Sequence, residues 1–294
     1  MDHSSEPFLP CLSMVLPVWL ENALTGTCDQ IYALGNQPVP EKKLLESCKI
    51  ISHRGIHDNR QIPENTLAAF DRALAVEGIW GIELDFRWTR DLVPVVFHDQ
   101  NLGRIFGDPS RICELDFAFL HDHFPLVPSL EEVVKKYGGR LHLMLEAKEE
   151  YYPDPVAQNR ILSSILARLR PVVDFHLISL AHGMLELIDF LEPDAKVLVA
   201  QMNEKELSRL ALKHRYAGIA GHYVLITRKL VERHLQAGQS LGTGYPHSKN
   251  CLFRELNRGI GWIFSNHAEE LARIRNKALS ELQNGSDVER DDLS

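Results

Sequence analysis

From residue 49 onward, apolar runs of six or seven residues alternate with longer segments whose apolar positions recur at helical spacing. The runs predict strands over 49–55, 81–86, 93–99, 141–147, 174–180, 195–201, 218–223, 239–245 and 261–266. The amphipathic segments predict helices over 64–78, 129–138, 155–170, 183–193, 203–216, 228–238, 251–259 and 268–282. An unbroken strand–helix series implies an α/β fold with a parallel sheet. At this length the pattern fits a closed (β/α)8 TIM barrel better than an open doubly wound sheet, since no G-x-G-x-x-G follows the first strand. Nine strand candidates compete for eight barrel positions, so one is not a stave or the turn at 86–92 makes an irregular pairing. Residues 100–128, with Pro109, Pro125 and Pro128, are too polar and too long for a simple connection. They predict a small insertion after the third strand.

Composition narrows the class. A formal net charge of −8 argues against a nucleic-acid partner, which needs a basic face. The five cysteines (Cys11, Cys28, Cys48, Cys113, Cys251) include no C-x-x-C pair, which points to a reducing, cytoplasmic setting. The apolar stretch 8–20 is short, broken by Pro10 and Pro17, and lacks a basic leader, so it fits neither a secretion signal nor a transmembrane segment. The preferred reading is an N-terminal extension, 1–48, packed on the barrel; peripheral membrane contact through this segment is the alternative. The chain closes with a helix end and an acidic polar tail over 276–294, expected to fray from about 284.

The chemistry gathers at strand ends, which form the active face of such barrels. The first strand ends in His53-Arg54-Gly55, the second carries Glu83 and Asp85, the third ends in His98-Asp99 and the fourth in Glu146 and Lys148. Period-two alternation turns Ile82, Leu84 and Phe86 outward and aims Glu83 and Asp85 at the barrel axis. The same count turns Leu143, Leu145 and Ala147 out and Glu146 and Lys148 in. Asp99 points away from His98 and reads as a buttress. Strict alternation also sets Arg54 opposite His53, so Arg54 reaches the site only if the backbone twists there. Three converging carboxylates stay ionised when a cation sits among them, and an all-oxygen set selects Mg²⁺ or Ca²⁺. Two histidines beside such an ion, with Arg and Lys, are equipment for phosphoryl transfer. The other histidines are read as structural or solvated, His57 among them although its loop could line the mouth, and Trp88 and Trp262 are read as packing.

The motifs "HRG" (53–55), "PENTLAAF" (63–70), "GIELDFRWTRDLVPVVFHD" (81–99), "LEAK" (145–148) and "GWIFSN" (261–266) resemble, in order and spacing, the glycerophosphodiester phosphodiesterase family. The resemblance covers roughly residues 49–270 and makes 49–275 the enzymatic barrel. It implies a barrel shared with phosphatidylinositol-specific phospholipases and metal-dependent hydrolysis of glycerophosphodiesters to an alcohol and glycerol 3-phosphate. It makes His53 and His98 the catalytic pair, Glu83, Asp85 and Glu146 the metal ligands, and Arg54 and Lys148 the phosphate-facing cations. Glu64 and Asn65 take a supporting role. Two positions depart from the family pattern. Gly244-Tyr245-Pro246-His247 stands where the family usually carries "WTVN", leaving Tyr245 and His247 as candidate substrate contacts, and Leu92 stands where the family favours Gly. Cleavage of lysophospholipids at the same bond is the nearest alternative, and it would need an apolar channel built from Phe106, Phe117, Phe119 and Phe124. A non-catalytic phosphate- or partner-binding barrel would need a lost ligand or histidine, and none is lost.

Overall fold

The computed structural model describes residues 34–291, with side chains to 284, together with residues 29 and 31. The 8–20 segment, and most of the extension predicted over 1–48, lie outside the described residues. The strands are β1 (Lys49–His53), β2 (Ile79–Trp88), β3 (Pro94–Val96), β4 (His142–Ala147), β5 (Phe175–Ser179), β6 (Lys196–Ala200), β7 (Gly218–His222), β8 (Ser240–Gly244) and β9 (Trp262–Ser265). All except β3 pair in parallel in the order β1-β9-β8-β7-β6-β5-β4-β2, and β1–β2 pairing closes the ring. The count of nine resolves here. β2 overruns the barrel, and its last residues pair antiparallel with β3, Phe86 opposite Val96 and Trp88 opposite Pro94. The third predicted strand is therefore a hairpin arm and not a stave.

The hairpin turn holds Leu92 at φ 60°. A branched side chain in the left-handed region costs about 1–2 kcal/mol that glycine would not. Leu92 offsets part of this by packing half-buried on the outer core. Alternation along the staves then separates two cores. Ile82, Leu84, Phe86, Leu143 and Leu145 face the helix layer with Phe70 and Tyr137. Ile51, Met144, Ile178, Val197, Trp262 and Phe264 fill the barrel interior. Each such large side chain, fully buried, stabilises by about 1.5–3 kcal/mol. The interior also takes His142 and His176, whose Nε2 and Nδ1 lie 2.8 Å apart, with Trp80 stacked on His142 at 3.9 Å. Trp88 and Trp262 are buried in packing, as expected.

Helices α1 (Lys42–Ser47) and α2 (Leu67–Ala75) flank β1, and Leu45 of α1 is fully buried. Thr66 caps α2 by accepting a hydrogen bond from the Ala69 amide. The predicted insertion is present: α3 (Gly103–Phe106), a 3₁₀ turn and α4 (Phe117–His123) enclose a small core of Val95, Phe97, Leu102, Ile112, Leu120 and Val127. It returns to the barrel at α5 (Leu130–Tyr137), which opens with a reciprocal Ser129–Glu132 capping box. Helices α6 (Pro155–Leu166), α7 (His182–Leu187), α8 (Glu204–Lys213), α9 (Arg228–Gln236) and α10 (Lys249–Asn257) connect the later strands. The final helix α11 (Ala268–Asp291) extends past the predicted end at 282. No proline follows Ala268, and i,i+4 pairs such as Lys277–Glu281 at 3.8 Å support its solvated face.

Candidate active site

The turn after β1 answers the problem posed by Arg54. Arg54 adopts φ 56° and Gly55 φ 78°, so alternation breaks and the guanidinium swings back over the barrel mouth. A Cβ on Gly55 would stand 2.8 Å from the Ala69 backbone, so only glycine fits this approach. Arg54 Nη1 donates to Glu64 Oε1 at 2.9 Å, and its Nε lies 3.1 Å from Asp85 Oδ2. The "PEN" loop adds Asn65, also left-handed at φ 58°, whose Nδ2 donates to Asp85 Oδ2 at 2.8 Å. Glu64 and Asn65 thus hold Arg54 and Asp85 in place.

Parallel pairing sets Asp85 opposite Glu146 and Glu83 opposite Met144. One oxygen from each of Glu83, Asp85 and Glu146 lies within 4.8 Å of the others, and all three residues are buried. Lys148 Nζ contacts Asp85 Oδ1 at 3.1 Å and Glu146 Oε1 at 2.5 Å. Asp85 is held well below the usual carboxylate range: burial opposes this, but Lys148, Arg54 and the Asn65 hydrogen bond outweigh it. Glu83 is pushed well up by burial first, then by the charges of Asp85 and Glu146. Its Oε1 is buried without a hydrogen-bond partner. An orphaned carboxylate oxygen among two other acids is the environment a hard divalent cation satisfies, so the donor set fits Mg²⁺ or Ca²⁺.

Two imidazoles flank this cluster. His53 Nδ1 lies 2.7 Å from Asn266 Oδ1, an acceptor, so Nδ1 carries the proton and Nε2 presents a lone pair 3.7 Å from Glu83 Oε2. Burial, reinforced by the Arg54 charge, lowers the His53 pKa to about 3 and keeps the ring neutral. His98 follows β3 and stands on the hairpin arm. Its Nδ1 lies 2.6 Å from Asp99 Oδ1, and Arg104 Nε donates to Asp99 Oδ2 at 2.7 Å. Asp99 thus turns onto the His98 ring instead of away from it as strict alternation predicts, and in this position it can buttress the imidazole. Burial alone would raise its carboxyl, but the bonds to His98 and Arg104 bring it down to about 2. Arg104 also forks onto Glu64 at 3.0 and 2.6 Å, tying the insertion to the "PEN" loop.

His53, Arg54, Glu64, Glu83, His98, Arg104, Glu146, Lys148 and Asn266 line one cavity of about 1570 Å³, with the fully buried Asp85 behind its lining. Tyr245 lines it edge-on to His53, with ring centroids 5.3 Å apart, and His247 lines it while stacking on His267 at 3.7 Å. Apolar lining comes from Ile178, Leu180, Val199, Leu225, Phe264 and Ile274. The channel imagined from the insertion is not there. Phe106, Phe117 and Phe124 pack into the insertion's own core, Phe119 stacks on His123 at 4.1 Å, and none of the four lines the cavity. Sequence reasoning left three cavity groups without a role. Arg104 sits on the insertion with no motif around it. Asn266 closes the "GWIFSN" run, whose final polar residue was the available signal. His57 lines the cavity with both ring nitrogens buried and without hydrogen-bond partners.

Residues 53–240 match the profile of the glycerophosphoryl diester phosphodiesterase family, well over half of the chain. The chain belongs to this family. Within the glycerophosphoryl diester phosphodiesterases, it is 39% identical over 162 residues to human glycerophosphodiester phosphodiesterase 1, covering 44% of this chain and 48% of that protein. The chain thus aligns with less than half the length of such mammalian relatives. A Bacillus altitudinis glycerophosphodiester phosphodiesterase is 28% identical over 250 residues, covering 77% of this chain and 98% of the bacterial one. The fold matches a Thermotoga maritima glycerophosphodiester phosphodiesterase (TM-score 0.63, 20% identity, 77% of this chain and 98% of that one). It also matches an Oleispira antarctica phosphodiesterase solved with the product sn-glycerol-3-phosphate (TM-score 0.65, 21% identity, 78% and 96% coverage). Among the described residues, no helix is long and apolar enough to cross a membrane.

Proposed function

We propose that the chain is a metal-dependent phosphodiesterase that hydrolyses glycerophosphodiesters to an alcohol and glycerol 3-phosphate. The observation that carries this reading is a cluster of three buried carboxylates, two of them lining the cavity and one oxygen of Glu83 orphaned, beside two histidines whose Nδ1 atoms are each engaged. In this reading Glu83, Asp85 and Glu146 hold a divalent ion, Mg²⁺ or Ca²⁺. When bound, that ion supplies Lewis-acid stabilisation of charge on the phosphoryl oxygens. Arg54 and Lys148 face the same phosphate and neutralise its remaining charge.

His53, neutral and with Nε2 open to the cavity, takes the proton from the attacking oxygen, which is either water, giving glycerol 3-phosphate directly, or a substrate hydroxyl, giving a cyclic phosphate that water then opens. A new P–O bond forms as the P–O bond to the alcohol breaks. His98 delivers a proton to the departing alkoxide, and Asp99 offsets the charge its imidazolium carries beforehand. Glu64, Asn65 and Arg104 fix the position of Arg54, Asp85 and Asp99. Tyr245 and His247 are candidate contacts to the alcohol or glycerol. The apolar lining favours a second reading, in which the diester carries an acyl chain and a lysophospholipid is cleaved at the same bond. The setting we infer is cytoplasmic, consistent with free thiols at Cys48, Cys113 and Cys251.

The test is a substrate panel of glycerophosphocholine, glycerophosphoethanolamine, glycerophosphoinositol and lysophosphatidylcholine, each assayed with Mg²⁺, with Ca²⁺ and with EDTA. Glycerol 3-phosphate release that EDTA abolishes and a divalent ion restores is the expected result. Cleavage of lysophosphatidylcholine alone would select the second reading. Activity that survives chelation on every substrate would refute the metal role, and no cleavage under any condition would refute the enzyme.

A further inference from the structure

A second set of metal-ligating side chains lies away from the cavity, on the helix layer. His182 opens α7, and Glu186 follows four residues later on the same face of that helix. His214 caps the C-terminal end of α8. One ligand atom from each of His182, Glu186 and His214 lies within 4.8 Å of the others, and none of these residues lines the cavity. His182 Nδ1 stands 3.5 Å from Glu186 Oε2. Donors on a tetrahedral zinc with bonds of about 2.0 Å are themselves about 3.3 Å apart. The His182 and His214 rings meet at 4.6 Å between centroids, tilted 62°.

The other nitrogen of His182 is already engaged: Nε2 lies 3.1 Å from the Tyr216 hydroxyl. With Nε2–H donated to that hydroxyl, Nδ1 keeps its lone pair on the side of Glu186 and His214. This is the outer hydrogen bond that commonly fixes a ligating imidazole. His182 is pushed below its ordinary pKa by burial, against the charge of Glu186, and the neighbouring His214 adds to the lowering. Lys213 and Lys196 add opposing positive charge, which leaves Glu186 as the carboxylate that must neutralise an incoming cation. Glu186 is exposed, with 57% of its side chain accessible, so an ion enters from solvent.

We propose that His182, Glu186 and His214 form a second metal site that binds Zn²⁺, pinning α7 to the end of α8. Two imidazoles and one carboxylate are a donor set for a borderline ion, unlike the all-oxygen cluster in the barrel. Water completes the coordination.

The full-length chain is titrated with ZnCl₂ by calorimetry in excess Mg²⁺, which occupies the barrel carboxylates, and Co²⁺ is used as a spectroscopic stand-in. One Zn²⁺ per chain and the visible absorption of a tetrahedral Co²⁺ adduct are expected. Glu186→Gln, at an exposed position, and His214→Ala should each weaken binding by more than about tenfold, and Tyr216→Phe by about tenfold. Asp85→Asn should leave it unchanged. Zn²⁺ should also raise the melting temperature of the wild type and not of His214→Ala. Absence of Zn²⁺ binding in excess Mg²⁺, or binding that neither Glu186→Gln nor His214→Ala weakens, would overturn the site and leave an ordinary i,i+4 ion pair beside an edge-on histidine.

Discussion

Replacing Asp99 with Asn isolates the part of the mechanism assigned to His98. The substitution keeps shape and volume and removes one negative charge. Asp99 Oδ1 lies 2.6 Å from His98 Nδ1, while Oδ2 accepts from Arg104 at 2.7 Å. Hydrogen bonds of this charge-assisted kind contribute about 1.5–3 kcal/mol. The pair is only partly shielded, His98 and Asp99 being 26% and 22% exposed, so the lower end, about 1.5–2 kcal/mol, applies. At about 1.4 kcal/mol per decade, that is a loss of about 10- to 30-fold in kcat. KM should change little, because Asp99 acts through His98 and does not face the phosphate. The loss grows if the new amide turns its NH₂ toward Nδ1, since the ring proton then moves to Nε2. The assay is glycerol 3-phosphate release from glycerophosphocholine, followed by a coupled dehydrogenase across a pH series. A variant whose kcat stays within about twofold of wild type, with an unshifted pH profile, would refute the assignment.

Glu83→Gln and His98→Ala should each lower turnover by at least about 100-fold while leaving the melting temperature within a few degrees of wild type; near-normal rates in either variant would mean the roles are misassigned. Acid should destabilise the barrel through its buried imidazoles. Burial lowers His176 and His53 to about 3 and His142 to about 4, so as pH falls below about 6.5 the unfolded chain takes up protons that the folded chain refuses. Stability is full above that pH and falls by about 1.4 kcal/mol per pH unit for each such ring until the folded values are reached. The raised carboxyls of Glu83 and Glu255 act in the opposite sense, so the comparison to make is between wild type and His176→Gln by urea midpoints between pH 7 and pH 5. An unchanged slope in the variant would contradict the account.

Much of the architecture was legible because burial imposes period two on every stave. The placement of Glu83, Asp85 and Glu146 toward the axis follows from the outward Ile82, Leu84 and Leu145, which the helix layer covers. What resisted reading depends on backbone angles and on contacts distant in sequence. Arg54 reaches Asp85 only because it adopts a left-handed conformation, which nothing in "HRG" dictates for a non-glycine residue. β3 looks like any other apolar run, and its antiparallel pairing is decided by the short turn through Leu92. Arg104 joins Glu64 across 40 residues, a contact that local pattern cannot contain.

The hairpin arm has a consequence for how activity can be lost. His98 is carried by a lobe with its own small core, whereas His53 and the three acids belong to the staves. The two histidines of the proposed catalytic pair therefore rest on packing units of different size, and the smaller is expected to open at lower free energy. Heat or denaturant would then silence turnover while the ring of strands is still intact, with the Arg104 ties to Asp99 and Glu64 as the latch that fails first.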